Sequence, residues 1–401
     1  MEHTIKELAA AAEERIRTQH IACFEGMDKP LFLISTTYPG IWLEHVYDSV
    51  FYAKMYPEYL SIAINTIELF IDKQTPEGQL PCFVLDTAKA KNCKNPVGYS
   101  QIQECVSFAA LCFEVAEMAK DEKLLHKAFD ASVKWEGWLR ANRMTTGRGL
   151  VEMFVGFDTG HDNSGRLSGM AHPGNKCDDA AVLPDDDGIT PILAVDMNCN
   201  LYVTEIAIAK MANKLGLFNT ESKYLARAKD VKERLFRYCY DPDDAFFYDV
   251  DRAGNKRKFL SSTILHLFLE KVLDPAEDAD MINKIYNKHL KNPDEFWTKY
   301  PFPSMAVCDP STAGHAERNC WGYFTEGLID LRCTRWMDDF GYSEDFDYIC
   351  KMWVEAWTKC FDEMKFGQEL DPISGAPSPS SEWYSSCMLF YIYAAKRLKL
   401  S

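Results

Sequence analysis

The sequence predicts an all-α protein, on three observations. Apolar residues recur at the 3.6-residue spacing of amphipathic helices along most of the 401 residues. Strand-like alternation of apolar and polar residues is rare. No stretch rich in Ser, Gly or Pro divides the chain. We therefore predict a single helical domain over residues 1–401, with windows of helical length at 4–22, 45–72, 100–119, 123–142, 196–215, 221–239, 258–272, 277–290, 320–338, 343–362 and 382–398.

Several of these windows begin beside residues that cap helices. The candidate caps are Asn219 or Thr220, Ser261 and Ser343, whose side-chain oxygens can accept a hydrogen bond from the first turn. The clearest exception to the helical pattern is the run Phe-Phe-Tyr-Asp-Val at 246–250, which is followed by a turn sequence at 252–255. We predict one small β-hairpin there.

Four long segments separate the helical windows, at 73–99, 143–195, 291–319 and 363–381. They are rich in Pro, Gly, Asp and aromatic residues. Long loops in a compact helical domain usually carry function. Paired helices joined by such loops predict a closed toroid. In it the helices alternate between an inner and an outer ring, and the loops gather around one cavity.

The charge of the chain excludes several classes of partner. Its 44 basic and 60 acidic residues give a net charge of −16, and no long basic run offsets it. Binding to nucleic acid or to an anionic membrane is therefore not expected. Residues 1–17 lack the apolar core of a signal peptide, and the longest apolar run, 387–395, is too short to span a bilayer. We expect a cytosolic protein, and the oligomeric state stays open.

The fourteen cysteines form no CxxC pair and no Cys/His cluster of the zinc type. Most lie in apolar stretches, so we interpret them as reduced core residues. We predict no cofactor and no catalytic metal. The acidic run at 185–187 could hold a structural calcium ion, but it lacks the twelve-residue EF-hand pattern.

Two acidic loops are the candidates for catalytic chemistry. The loop at 156–166 combines Asp158 and Asp162 with His161 and Arg166, and the loop at 366–375 contains Glu369. Either loop alone could be an ordinary solvated turn. Together with aromatic residues they form a glycosidase pattern, because one carboxyl must protonate the leaving oxygen while another activates water.

Blocks of sequence from residue 38 to residue 383 resemble glycoside hydrolase family 63 and its trehalase-like relatives. The strongest, Gly-His-Asp-Asn-Ser-Gly-Arg at 160–166, is similar to the family's Gly-x-Asp-Asn-Ser-Pro-Arg. The late block Glu-Leu-Asp-Pro-Ile-Ser-Gly is similar to its Glu-x-x-Asp-Pro-x-Thr-Gly. The blocks lie at 38–42, 47–51, 78–81, 100–103, 160–166, 194–198, 319–322 and 369–375, followed by Trp383.

The resemblance implies an (α/α)6 barrel and inverting hydrolysis of an α-glycoside. Asp162 then corresponds to the general acid and Glu369 to the general base. The family's base stands three residues before the Asp of its Asp-Pro pair, where this chain has Gln368. Either a one-residue shift makes Glu369 the base, or Gln368 takes that place and Glu382 is the reserve candidate.

Residues in the same blocks are the candidates for binding the sugar. Aromatic rings pack against the C–H faces of sugars, and Asp, Gln and Arg side chains bind hydroxyl or carboxylate groups. Any one of them could equally be part of the core. The predicted substrate-binding residues are Trp42, Tyr47, Asp48, Gln103, Asp158, Arg166, Trp321, Glu382 and Trp383.

A chain of 401 residues leaves little room for sugar-binding modules beside the barrel, which favours a small carbohydrate such as a disaccharide or a glycosyl-glycerate. The alternative is a sugar epimerase or isomerase, or a sugar-binding pseudoenzyme, on the same toroid. An epimerase would use histidines of the cavity, and the candidates are His45, His161, His172 and His315. A terpene-synthase-like lyase ranks third, because its Asp-rich motif belongs on a helix.

Overall fold

The computed structural model describes residues 3–171, 174, 179–184, 187–312 and 321–401. Twelve α-helices lie within these residues. They are α1 (Ile5–Arg15), α2 (Val46–Met55), α3 (Leu60–Asp72), α4 (Phe108–Ala119), α5 (Glu122–Asn142), α6 (Val195–Lys214), α7 (Phe218–Cys239), α8 (His266–Leu269), α9 (Ala279–Ile285), α10 (Gly327–Cys333), α11 (Ser343–Cys360) and α12 (Ser385–Arg397).

The helices form two rings. Helices α2, α4, α6 and α8 contact one another in that order, α10 contacts α12, and α12 contacts α2. The even-numbered helices form the inner ring. The odd-numbered helices cover it from outside, as in the packing of α7 on α6 and of α11 on α12. The predicted (α/α)6 barrel, with helices alternating between the two rings, is confirmed.

Local chemistry explains where helices break or start late. The predicted window 45–72 is two helices, because Pro57 cannot continue α2 and begins a short 3₁₀ turn before α3. Helix α4 begins only after Ser107, whose side chain accepts a hydrogen bond from the backbone N–H of Ala110. Residues 100–107 thereby stay free to form a loop at the mouth of the barrel.

Short β-strands lie in the loops between the helices, and every strand pair of the described residues is antiparallel. The hairpin predicted near 246–255 is present, with Val250 opposite Lys256. The strands are β1 (Ile21–Ala22), β2 (Leu31–Phe32), β3 (Gly40–Trp42), β4 (Phe83–Leu85), β5 (Val97–Gly98), β6 (Glu152–Met153), β7 (Ile192–Leu193), β8 (Tyr240–Asp241), β9 (Phe246–Phe247), β10 (Asp249–Val250), β11 (Lys256–Arg257), β12 (Thr325–Glu326) and β13 (Glu369–Leu370).

The core is built from both rings and is rich in large aromatic residues. Trp135, Trp336, Trp353 and Trp357 are among its largest fully buried side chains.

In the part of the chain that the structure describes, no helix combines the length and the apolar character needed to cross a membrane.

Candidate active site

A cavity of about 420 Å³ opens among the loops that precede the inner helices. It contains side chains from both ends and the middle of the chain, which the closed ring brings together. Its described lining residues are Tyr38, Trp42, Glu44, Phe83, Gln101, Gln103, Phe157, Asp162, Gly174, Trp321, Gln368 and Tyr384. This volume is in the range of small-molecule sites.

Asp162 lies in the wall of this cavity. It follows the 3₁₀ turn Gly156–Thr159 and Gly160, whose backbone is left-handed with φ of 71°. Burial, and then the negative charge of Glu44, raise the pKa of Asp162 to about 8. A carboxyl with this pKa keeps its proton at neutral pH and can donate it to a leaving oxygen.

Glu44 is the second carboxyl of the cavity wall, and sequence reasoning missed it. Its Oε1 lies 3.1 Å from Nδ1 of His45, and its Oε2 accepts a hydrogen bond from the Cys105 thiol at 3.8 Å. A Cβ added at Gly160 would lie 2.1 Å from Glu44 Oε2, so only glycine leaves room for this carboxyl. The sequence did contain a signal for Glu44, because it lies between the block that ends at Trp42 and the Tyr-Asp-Ser block that begins at Tyr47.

Gln368, rather than Glu369, lines the cavity. Strands β12 and β13 pair with Glu326 opposite Glu369, and Gln368 directly precedes β13. The amide Nε2 of Gln368 donates to Glu326 Oε1 at 2.8 Å. The Glu369 carboxylate accepts from the backbone N–H of Trp321 at 3.1 Å and from the Ser378 hydroxyl at 2.9 Å.

Burial raises the pKa of Glu369 to about 8, against the lowering effect of hydrogen bonds from Ser378, Trp321 and Glu326. The pKa of Glu326 is also raised well above its ordinary value, first by burial and then by the charge of Glu369. These two carboxyls therefore share protons behind the wall. A carboxyl that retains its proton at neutral pH is a poor acceptor for a proton from water.

Aromatic rings form most of the remaining wall. Trp42 and Trp321 line the cavity, and Trp321 stacks on His161 with 4.1 Å between ring centroids. Trp383 is not among the described lining residues; it packs against Phe361 and Phe366, with the Arg15 guanidinium 4.9 Å from its ring centroid.

Two lining residues hold unusual backbone conformations. Gln103 and Trp321 have φ of 53° and 68°, in the left-handed region that favours glycine. Such conformations cost free energy and cluster at functional sites. The Gln101 side-chain amide donates to Gln103 Oε1 at 2.8 Å, and both side chains line the cavity.

Two predicted substrate-binding residues of helix α2 have internal partners. Tyr47 is buried and contacts the Thr334 hydroxyl at 3.0 Å, and it lines a different cavity at the opposite end of the ring. Both Ser385 and Ser386 donate hydroxyl hydrogen bonds to Asp48. These contacts tie α2 to its neighbours in the inner ring.

The reserve candidate for the general base, Glu382, is exposed and does not line the cavity.

Asp158 organises the loop that carries Asp162. Its carboxylate accepts from the backbone N–H groups of Ile102, Phe154 and Val155 at 2.8–3.1 Å. It also forms a fully buried ion pair with Arg143, with 2.5 Å between Nη2 and Oδ2. These contacts fix the loop between β6 and the cavity.

Arg166 forms a buried ion-pair network with two aspartates. Its Nη1 and Nη2 donate to Asp196 at 3.2 and 2.6 Å, and Nη1 also donates to Asp249 at 2.9 Å. Asp249 in turn accepts from the backbone N–H of Val195 at 2.9 Å. Arg166 thus ties the loop of Asp162 to the start of α6 and to β10.

Because Arg166 is fully buried between two carboxylates, we expect Arg166→Gln to lower the free energy of unfolding by about 3–5 kcal/mol. The loss comes from leaving Asp196 and Asp249 uncompensated. Chemical denaturation of the variant measures it, and the exposed exchange Glu382→Gln is the control. An unchanged unfolding free energy with a raised KM would instead assign Arg166 to substrate binding.

One group of the described side chains has the composition of a metal site: His161, Asp196 and His266 offer ligand atoms within 4.8 Å of one another. Arg166 already occupies both oxygens of Asp196. Burial, and next the positive charges of Arg166 and Arg332, hold the pKa of both histidines well below the ordinary value. The same charges repel a bound cation, and the absence of a catalytic metal stays a prediction.

Several residues singled out in the sequence lie outside the described residues. They are His172, Asp185, Asp186, His315, Asn319 and Cys320.

The two rings of helices define an (α/α)6-barrel protein, and the aromatic cavity that contains Asp162 is its candidate active site. The family model of the mannosylglycerate hydrolase MGH1-like glycoside hydrolase domain matches residues 55–321. The chain therefore belongs to this family of glycoside hydrolases, and the predicted likeness to family 63 and the trehalases is confirmed. A search of curated protein sequences found no match.

Solved structures show the same fold. Mannosylglycerate hydrolase of family 63 from Thermus thermophilus, in complex with Tris and D-glycerate, matches with a TM-score of 0.70 and 14% identity, over 96% of this chain and 99% of that one. Its complex with glucose gives 0.68 and 15% over the same shares. Neutral trehalase from Saccharomyces cerevisiae gives 0.69 and 14%, over 98% of this chain and 80% of that one.

Proposed function

We propose that this glycoside hydrolase cleaves a small α-glycoside with inversion at the anomeric carbon. The observation that carries the proposal is Asp162, a carboxyl that keeps its proton at neutral pH in the wall of an aromatic cavity of about 420 Å³. Such a group can protonate the glycosidic oxygen as the bond breaks. Trp42 and Trp321 would hold the sugar ring, and Gln103 its hydroxyl groups.

The cavity favours an uncharged α-disaccharide as substrate. Among the described lining residues the carboxyl groups are those of Asp162 and Glu44, and neither lysine nor arginine is present. A glycosyl-glycerate is the second candidate, because the similar Thermus protein was solved with D-glycerate. Initial rates on α-glucosides and α-mannosides of uncharged alcohols and of glycerate decide between the two.

For the general base, the cavity favours Glu44 over Glu369, although the late loop motif predicts Glu369. Glu44 lines the cavity, whereas Glu369 lies behind Gln368 and holds a proton with its pKa near 8. An amide at position 368 cannot accept a proton from water. The Glu44 carboxylate would take the proton from the attacking water while Asp162 protonates the leaving oxygen.

Inversion predicts the anomer that forms first. Hydrolysis of an α-glycoside should release the β-sugar before mutarotation mixes the two forms, because water attacks from the face opposite the leaving group. Proton NMR of the anomeric region in the first minutes of reaction measures this. Initial release of the α-sugar would replace inversion by a retaining mechanism.

The second candidate function is sugar binding without hydrolysis, and it rests on Gln368 at the position of the family's base. Such a protein would bind disaccharides, as measured by isothermal titration calorimetry, and would release no reducing sugar from any of the α-glucosides and α-mannosides tested.

We also propose that residues 1–401 act as one catalytic domain without a cofactor. A cytosolic location fits the twelve described cysteines, which are all free.

A further inference from the structure

A second, much smaller cavity lies behind Trp321. Its free volume is about 10 Å³, close to the minimum that one water-sized particle requires. Every side chain that lines it is at most 5% exposed, so the space is part of the protein interior. The lining residues are His161, Ser262, Leu265, His266, Leu269, Ile329, Arg332 and Trp336.

Arg332 brings a positive charge into this interior without an ion-pair partner. Its Nε and Nη2 have no hydrogen-bond partner, and no described carboxylate forms an ion pair with it. The other buried arginines nearby are paired: Arg166 contacts Asp196, and Arg335 contacts Glu114 at 3.1 Å. A buried charge normally needs a counter-charge, because its removal from water is costly.

The charge of Arg332 acts on two buried carboxyls, Asp48 and Glu270, but neither forms an ion pair with it or lines the small cavity. Asp48 accepts hydrogen bonds from Ser385 and Ser386. Glu270 lies 4.0 Å from Arg335 and does not line the small cavity. None of the cavity's eight lining residues is acidic. Within the small cavity, no lining residue supplies a counter-charge to Arg332.

Two histidines add hydrogen-bond donors. Nε2 of His161 and Nδ1 of His266 have no partner. Both rings are neutral, because burial and the neighbouring arginines hold their pKa well below the ordinary value. A neutral imidazole carries one N–H, which can point to an acceptor in the cavity. Ser262 lines the same space.

We propose that this cavity binds a single halide ion, chloride under physiological conditions. The guanidinium of Arg332 supplies the counter-charge, and His161, His266 and Ser262 supply neutral donors. A water molecule would satisfy the donors but leave the charge uncompensated, and a polyatomic anion exceeds the space. Since Trp321 stacks on His161 at 4.1 Å, the ion would also hold one wall of the sugar cavity in place.

Bromide diffraction tests the site directly in the wild-type protein. Crystals grown without halide and soaked in sodium bromide should show an anomalous peak between Arg332 and the two histidines. Refined density of an ordered water at that position, without an anomalous signal, would overturn the proposal. This result does not depend on catalysis, so it is separable from failure of the proposed function.

Thermal unfolding gives a second test in solution. At equal ionic strength, chloride should raise the Tm of the wild-type protein above that in gluconate by at least about 2 °C, since the ion binds only the folded state. Arg332→Gln should abolish this difference. Arg335→Gln, which removes a buried arginine that has its own carboxylate, should lower Tm and retain the difference. Equal Tm values in chloride and gluconate for the wild type would refute halide binding.

Discussion

Asp162→Asn should lower kcat for an α-glycoside with a poor leaving group by about 10²–10⁴-fold, because an amide cannot deliver a proton to the departing oxygen. The substitution is nearly isosteric, so KM should change little. Steady-state kinetics on the best disaccharide of the panel measures both constants.

The matched control is a substrate that needs no acid. An α-glycosyl fluoride leaves without protonation of an oxygen, so Asp162→Asn should retain most of its rate on the fluoride. Loss of both activities to the same degree would assign Asp162 to binding or folding instead of proton transfer.

The same residue sets the alkaline limit of activity. An acid catalyst works only while protonated, and the pKa of Asp162 is raised to about 8 by burial and by Glu44. The kcat/KM of the wild type should therefore be high at neutral pH and fall as pH rises through about 8. A fall that is already complete by pH 6 would contradict a general acid with this pKa.

The fold was predicted from the helical spacing of the apolar residues. Helices α5, α6, α7 and α11 lie within a few residues of their predicted windows. The weaker cases have local causes. Pro57 divides one window into α2 and α3, and the window at 258–272 contains only the short α8 after a 3₁₀ turn. Periodicity reports an amphipathic face, and it does not reveal such breaks.

The candidate site was harder to predict, because neighbouring positions differ in direction. Gln368 and Glu369 are adjacent in sequence, yet only Gln368 lies in the cavity wall, because hydrogen bonds from Trp321 and Ser378 hold the Glu369 carboxylate behind it. Asp158 and Asp162 belong to the same loop, but the distant Arg143 draws Asp158 into the interior. A motif gives the residue types of a site, whereas the partners that orient each side chain come from remote parts of the chain.

Glu44→Gln should abolish hydrolysis of the α-disaccharide, whereas Glu369→Gln should leave most of it, if the base is the carboxylate of the cavity wall. Glu44 lines the cavity with Asp162, and the Glu369 carboxylate is occupied by Trp321 and Ser378 behind that wall. Initial rates of both variants on the same disaccharide give the comparison.

Sodium azide separates loss of the base from loss of the fold, since this anion attacks the anomeric carbon without deprotonation. In Glu44→Gln it should restore bond cleavage and yield the β-glycosyl azide, detected by NMR. The opposite pattern, with Glu369→Gln inactive and rescued by azide while Glu44→Gln stays active, would return the role of base to Glu369 as the late loop motif predicts. The exposed Glu382→Gln completes the comparison, and full activity in that variant removes the reserve candidate from the mechanism.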